Sequence, residues 1–317
     1  MKKIFIPALA AMALAACTKE QQPMPADASR DIRITTSIDG VQSKAVALGS
    51  QSQTEVQVLR KDNAANTAPT DFSGTPVSVT RETNGKLTFA AAPTYDLNNN
   101  YAFFAAYHPK GTAGSNKATW TIDGKTDIIT TAAWNAGNYA APVTTGMAFG
   151  HQLAQLEVIC KADPATSVAE AAVQSAWGQI TKIELVNTPS SAELAYNGLG
   201  MTYGAATATL ALSKPDYTTA FAAVTLTKAN TAVTAAGMFA PGSGTATLRL
   251  KVTTTTVTGG KTVDVQLKDG STNKGFDKGL RHTVTLTFGA STKEIAVSGT
   301  TIAPWGSGYT GSGSLEN

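Results

Sequence analysis

"VTTGMAFGHQLAQLEVICKA" occupies residues 143–162. Apolar residues alternate on both sides of Gly150, and the run is far longer than an ordinary strand of ~5–6 residues. A glycine in the middle of such a run marks a bulge or a switch from one sheet to another. The stretch is therefore too long to be one ordinary strand, and a bulge or a switch of sheets is expected at Gly150. A domain boundary is placed there, dividing residues 31–148 from 149–317.

Upstream, strand-like segments recur with turn signals between them. "DIRITTSI" begins at Asp31, "TEVQVLRK" at Thr54, and "TPVSVTRE" and "GKLTFAA" flank a tight "TNG" turn. In "YAFFAAYHP", Tyr101, Phe103, Ala105 and Tyr107 share one strand face. "ATWTIDGKTDIITT" reads as a hairpin about Asp123 and Gly124. Downstream, Asp163 as cap, Pro164 in the first turn and "ATSVAEAAVQSAW" predict the single short helix. Strands then resume through "QITKIELVN", "ATLRLKVTTTTV", "LRHTVTLTFG" and "KEIAVSGTTIAPW". The expectation is an all-β protein of two tandem β-sandwich domains.

Composition agrees. The 317 residues are only 15% charged and 7% aromatic, with a bias toward Thr, Ala, Ser, Gly and Val. The formal charge is +3. Without Lys2 and Lys3, 23 basic residues face 22 acidic ones, a balance of +1. Nucleic acid as a partner is thereby disfavoured, since phosphate binding needs clustered cations.

"MKKIFIPALAAMALAAC" has a two-lysine start and an apolar stretch too short to span a bilayer, which takes ~20 residues. Residues 14–17, Leu-Ala-Ala-Cys, resemble the bacterial lipobox. Residues 1–16 are expected to be a lipoprotein signal peptide, with Cys17 taking the lipid that anchors the chain at a membrane. Residues 17–30 are polar and contain proline, as a tether does. The second cysteine, Cys160, shares a strand face with Leu156 and Val158 and reads as a small buried hydrophobe.

Catalytic and ligand signatures are sparse. His108, His151 and His282 are far apart in sequence, without H-E-x-x-H or C-x-x-C spacing, so no metal is expected. No G-x-S-x-G occurs. "GSGYTG" at residues 306–311 fits G-x-G-x-x-G, but has no room for a following helix. "DLNNN" at residues 96–100 offers oxygen ligands for calcium, though Asn-rich turns are commoner than calcium loops. Trp120, Trp134, Tyr139 and Trp177 could stack on sugars if exposed together, and otherwise are core packing. Neither an enzyme nor a cofactor is expected.

"YAFFAAYHP", "TDIITT", "GMAFGHQLAQLEV" and the closing "GLRHTVTLTFGASTKEIAVSGTTIAPWGSG" resemble the fimbrillin family, pilins of Gram-negative gut and oral anaerobes. The resemblance implies two transthyretin-like (Ig-like) sandwiches, export as an outer-membrane lipoprotein, and polymerisation with other pilin subunits by strand exchange. It implies that an extracellular trypsin-like protease cuts after a basic residue behind the first strand. Here that is Lys44, before Ala45, and Lys replaces the family's Arg. The removable strand is residues 31–39, anchored by Ile32, Ile34 and Ile38. The donor lies within residues 286–306, with Ile295, Val297, Ile302 and Trp305 as its apolar positions. Gly299 is placed to shift the register before Ile302. The length after Leu286 leans toward a stalk or accessory subunit. Two other readings stand beside this one: first and last strands of a stable monomer, and a surface glycan-binding lipoprotein.

Overall fold

The strand Tyr101–His108 is buried on both faces, which its sequence demands: YAFFAAYH has no charged residue before its final histidine. The computed structural model describes residues 30–38, 53–242, 247–269, 272–291 and 293–304. Residues 31–317 cluster as one unit, separate from residues 1–30. Tyr101–His108 lies mid-sheet, in the order Thr36–Ile38, Met147–His151, Ile129–Thr131, Tyr101–His108, Gln53–Asn63, Val77–Arg81, Leu87–Thr88. The pairing of Thr36–Ile38 with Met147–His151 is parallel. The other pairings along this path are antiparallel. One face, with Val56, Val58, Ala102, Phe104 and Ala106, packs on Ile32, Ile34, Ile38, Met147 and Phe149. The other face, with Leu59, Phe103, Ala105 and Tyr107, forms a second core with Trp120, Leu194, Tyr196 and Met238.

That second core lies against a sheet of mixed origin. Its order is Met201–Tyr203, Ser191–Ala195, Lys117–Thr121, Thr112–Gly114, so strands from both sides of residue 149 share it. Tyr107 and Tyr196 stack with ring centroids 5.9 Å apart, and their hydroxyls meet at 2.6 Å. The reason is burial: Ala192, Leu194 and Tyr196 supply the apolar cover that the outer face of Tyr101–His108 requires.

Of the two expected alternatives the chain takes the switch of sheets, at residues 152–153, while Gly150 itself pairs with Thr130. Met147–His151 belongs to the first sheet and Ala154–Ala162 to another, ordered Ala235–Phe239, Ala154–Ala162, Leu280–Phe288, Ile295–Pro304. It faces a sheet built on Ala206–Ala211, Gln179–Pro189, Thr247–Thr254 and Lys261–Gln266. Leu156, Val158, Leu185, Leu250, Leu286 and Phe288 fill the space between them. Cys160 is a free, fully buried thiol within this core, and burial pushes its pKa up to about 12.

Two local expectations need correction. Residues 123–124 do not turn a hairpin: Lys117–Thr121 and Ile129–Thr131 lie in different sheets. Asp123 folds the turn by accepting from the amides of Lys125 and Thr126 at 2.8 and 2.7 Å. Gly124 then gives its carbonyl to the Met238 amide at 2.9 Å, a bond to a distant strand rather than across a hairpin. The helix runs only over Glu170–Trp177 and has no side-chain N-cap. Asp163 instead closes a local turn by accepting from the Ala165 amide. Burial of Val173 and Trp177, with Trp177 Nε1 donating to the Gly289 carbonyl at 2.7 Å, holds the helix in place.

Candidate functional site

Residues 31–38 alternate without a break: odd positions are exposed and even positions are buried. Ile32, Ile34 and Ile38 retain 4%, 1% and 7% of their exposure. The segment connects the two edges of the first sheet. On one flank Thr36–Ile38 pairs with Met147–Phe149, and the Met147 amide donates to the Thr35 carbonyl at 2.9 Å. On the other flank the Ile32 amide donates to Pro93 at 2.7 Å, Thr36 to Gly85 at 2.8 Å, and Leu87 donates back to Ile34 at 3.0 Å. These residues form a plug in a groove. A 210 Å³ cleft follows its outer margin beside Lys86, Leu87 and Pro93.

Two glycines make the groove tight. A Cβ on Gly85 would stand 2.3 Å from the Thr36 carbonyl oxygen, and one on Gly146 would stand 2.6 Å from that of Thr35. Any side chain at either place would push the plug's backbone out of its seat. Gly85 also has φ +85°, which favours glycine independently.

The third inward position is polar. Thr36 Oγ1 donates to the Gly85 carbonyl at 2.8 Å and accepts from Arg81 Nε at 2.9 Å. Arg81 is itself buried, and Nη1 donates to Gln53 Oε1 at 3.2 Å. Burial lowers the pKa of its guanidinium. Sequence reading missed Arg81, Gly85 and Gly146. One signal was present: in "VSVTR" Arg81 shares the parity of buried Val79, and so points inward.

The expected donor region divides. Leu286 and Phe288 belong to Leu280–Phe288, a strand paired on both sides and buried at its end. Only Ile295–Pro304 lies at a sheet edge, antiparallel to Leu280–Phe288. Its register shifts where Thr285 pairs with Gly299 and Leu286 with Val297, so Ser298 is an extra residue, as Gly299 had suggested. None of its residues is fully buried. Ile295 and Val297 rest on the edge of the core, while Thr300 and Ile302 overhang a 460 Å³ cleft beside Lys268 and Lys274.

Cys17, Lys44, Ala45 and Trp305 lie outside the described residues. No helix among the described residues is long and apolar enough to cross a membrane.

The aromatic platform is not assembled. Trp120 is in the second core, edge-on to Tyr107, and its Nε1 donates to the Pro109 carbonyl at 3.0 Å. Trp134 packs on the opposite face of the first sheet, beside Phe104, and Trp177 is buried in the second half. In the Asn-rich turn, the Asp96 carboxylate accepts from the Asn98 amide and from the Asn98 and Asn100 side chains. Among the described residues no three His, Cys, Asp or Glu side chains converge as metal ligands.

Two of the three histidines, His108 and His151, flank one strand. Ile129 pairs with His108 on one side and His151 on the other. His151 Nδ1 lies 2.7 Å from Asp127 Oδ2, both side chains being buried. Burial lowers the His108 pKa, against the opposing pull of the Asp127 and Glu55 carboxylates. This cluster pins the start of one sheet strand to the end of its neighbours.

A family model described as fimbrillin-like matches residues 43–305. No curated protein matches the chain. Among solved structures, a candidate cell adhesion protein from Bacteroides uniformis superposes with a TM-score of 0.58 at 19% identity, over 89% of this chain and 99% of that one. A second such protein, from Bacteroides ovatus, gives 0.53 at 15% identity over 88% and 98%. A fimbrial protein from Bacteroides vulgatus gives 0.50 at 15% identity over 86% and 99%. At these identities the likeness is one of fold.

Proposed function

Since the chain belongs to the fimbrillin-like family, we propose that it is a stalk or accessory subunit of a cell-surface fimbria, exported as a lipoprotein and polymerised by protease-triggered strand exchange. Cys17 carries the lipid. A trypsin-like protease cuts between Lys44 and Ala45, behind the plug. The plug departs with the anchor, and the terminal strand of another subunit enters the groove.

One observation carries this reading: residues 31–38 supply hydrogen bonds to two sheet edges at once. Each fully buried isoleucine contributes ~1.5–3 kcal/mol. Loss of the plug therefore uncovers an apolar slot together with amides and carbonyls on both flanks, a combination that captures an extended strand. Covalent attachment keeps the plug at high effective concentration, and cleavage removes that advantage. The terminal strand suits donation because it is paired on one side only and half-buried. Leu280–Phe288 is excluded as donor, since withdrawing it would dismantle the core around Leu156, Leu185 and Leu250.

The test is limited trypsin digestion of the full soluble chain, with mass spectrometry of fragments and electron microscopy of the product. The expected outcome is one early cut at Lys44 followed by oligomers or fibres. A cut chain that stays monomeric at high concentration would overturn the proposal.

A further inference from the structure

The four side chains that enter the groove are, in order, Ile32, Ile34, Thr36 and Ile38: apolar, apolar, hydroxyl, apolar. The half-buried face of the terminal strand carries Ile295, Val297, Thr300 and Ile302, the same series in the same order. The bulge creates this match. Strict alternation from Ile295 would bring Gly299 and Thr301 to the third and fourth positions. The extra residue at Ser298 brings Thr300 and Ile302 there instead.

Two further facts favour the correspondence. Aligned on the plug, Ser298 and Gly299 fall opposite Thr35, where Gly146 leaves one wall of the groove without a side chain. Thr300 is also poorly provided for in its own sheet. Its Oγ1 lies 3.4 Å from the Lys268 amide and 3.5 Å from the Lys268 carbonyl, against 2.8 and 2.9 Å for both bonds of Thr36.

We propose that Arg81 selects the incoming strand by requiring a hydroxyl at its third inward position, and that the strand it selects is Ile295–Pro304 of a second copy of this chain, read through Thr300. The inference rests on the strand-exchange reading above and narrows it to a specificity residue and a partner. A hydroxyl is the chemistry required, because the site asks one atom both to accept from Arg81 and to donate to the Gly85 carbonyl. Valine has the shape of threonine and can do neither; it would take the acceptor from the buried Arg81 Nε–H and leave the Gly85 carbonyl with the backbone amide alone. The site also sets direction. Read backwards, the same four side chains would bring threonine second, into the pocket of Ile34, so only a strand running as the plug does fits.

The test uses peptides of residues 294–304 as competitors of assembly by the trypsin-treated full chain. The native peptide is expected to inhibit. Thr300→Val should weaken inhibition about tenfold or more. Thr300→Ser should stay within about threefold of native, and Thr301→Val should equal it. An acceptor bearing Arg81→Met should lose the discrimination between the native and Thr300→Val peptides. Should that variant fail to fold, the peptide series on the native acceptor decides alone. Equal inhibition by the native and Thr300→Val peptides, or a loss confined to Thr301→Val, overturns selection by Arg81 and leaves strand exchange intact. No inhibition by any peptide, with no assembly of the cut chain, overturns the exchange reading and this inference with it.

Discussion

Residues 31–38 and the strand Ile295–Pro304 carry the same kind of sequence, a β-branched alternation, yet the fold holds them in opposite ways. The first is bonded on both flanks and its inward side chains are buried. The second is paired along one flank, bulged in the middle, and nowhere more than half-buried. Alternation shows which side chains face inward. It does not show how many edges a strand will meet, and that number decides whether the strand is a plug or a loose end.

The comparison breaks most easily at its anchors. Ile34→Ala should cost about 2–5 kcal/mol in denaturant unfolding, as for any fully buried large-to-small change. Ile302→Ala, over a cleft, should cost under about 1 kcal/mol. Similar costs at the two sites would remove the asymmetry. Next in size is Gly146→Ala, with an expected loss of about 1–3 kcal/mol from overpacking against Thr35. The same variant should speed trypsin cleavage behind the plug, as seen in a digestion time course.

Hydrogen exchange sharpens the contrast without any substitution. The amides of Leu87 and Met147, which donate to plug carbonyls, should exchange slowly in the intact chain. After proteolytic release of the plug they should exchange fast, while amides of Leu280–Phe288 keep their protection. If Leu87 and Met147 stay protected after release, the two flanks do not depend on the plug.

The smallest effect concerns pH. His282 is buried in the strand paired with the terminal strand, opposite Ile302. Burial lowers its pKa, with Asp277 opposing. Its folded pKa thus lies below the ~6.5 of an unfolded histidine, so the unfolded chain binds the proton more readily. Its stability contribution is complete above about pH 7 and is lost as pH falls below ~6.5 toward the folded value. Thermal melts from pH 7.5 to 5.5 should show a falling midpoint, and His282→Leu should flatten that slope. An unchanged slope in the variant would assign the acid sensitivity elsewhere, His108 being the next candidate.

Much of this is legible in the sequence. Ile32, Ile34 and Ile38 stand out by parity, and Gly150 marks a bulge or a switch of sheets because a continuous strand of that length is rare. Gly299 signalled the shifted register. The misreadings share a cause. "IDG" matched a hairpin turn, and Asp163-Pro164 matched a helix start, but both local preferences yielded to distant partners: Met238 for Gly124, and buried Val173 and Trp177 for the helix. The inward parity of Arg81 is legible in the sequence, but its role is not, since that comes from Thr36, 45 residues earlier.

Alternation and glycine placement are local properties of the backbone, and they suffice to establish a β-protein, the inward faces of its strands and an irregularity near Gly150. Long-range packing is what joins the first segment to two sheet edges, completes the core beside Tyr107 with residues 191–203, and sets a buried arginine against Thr36. Those facts depend on contacts between residues far apart along the chain, which no local pattern encodes.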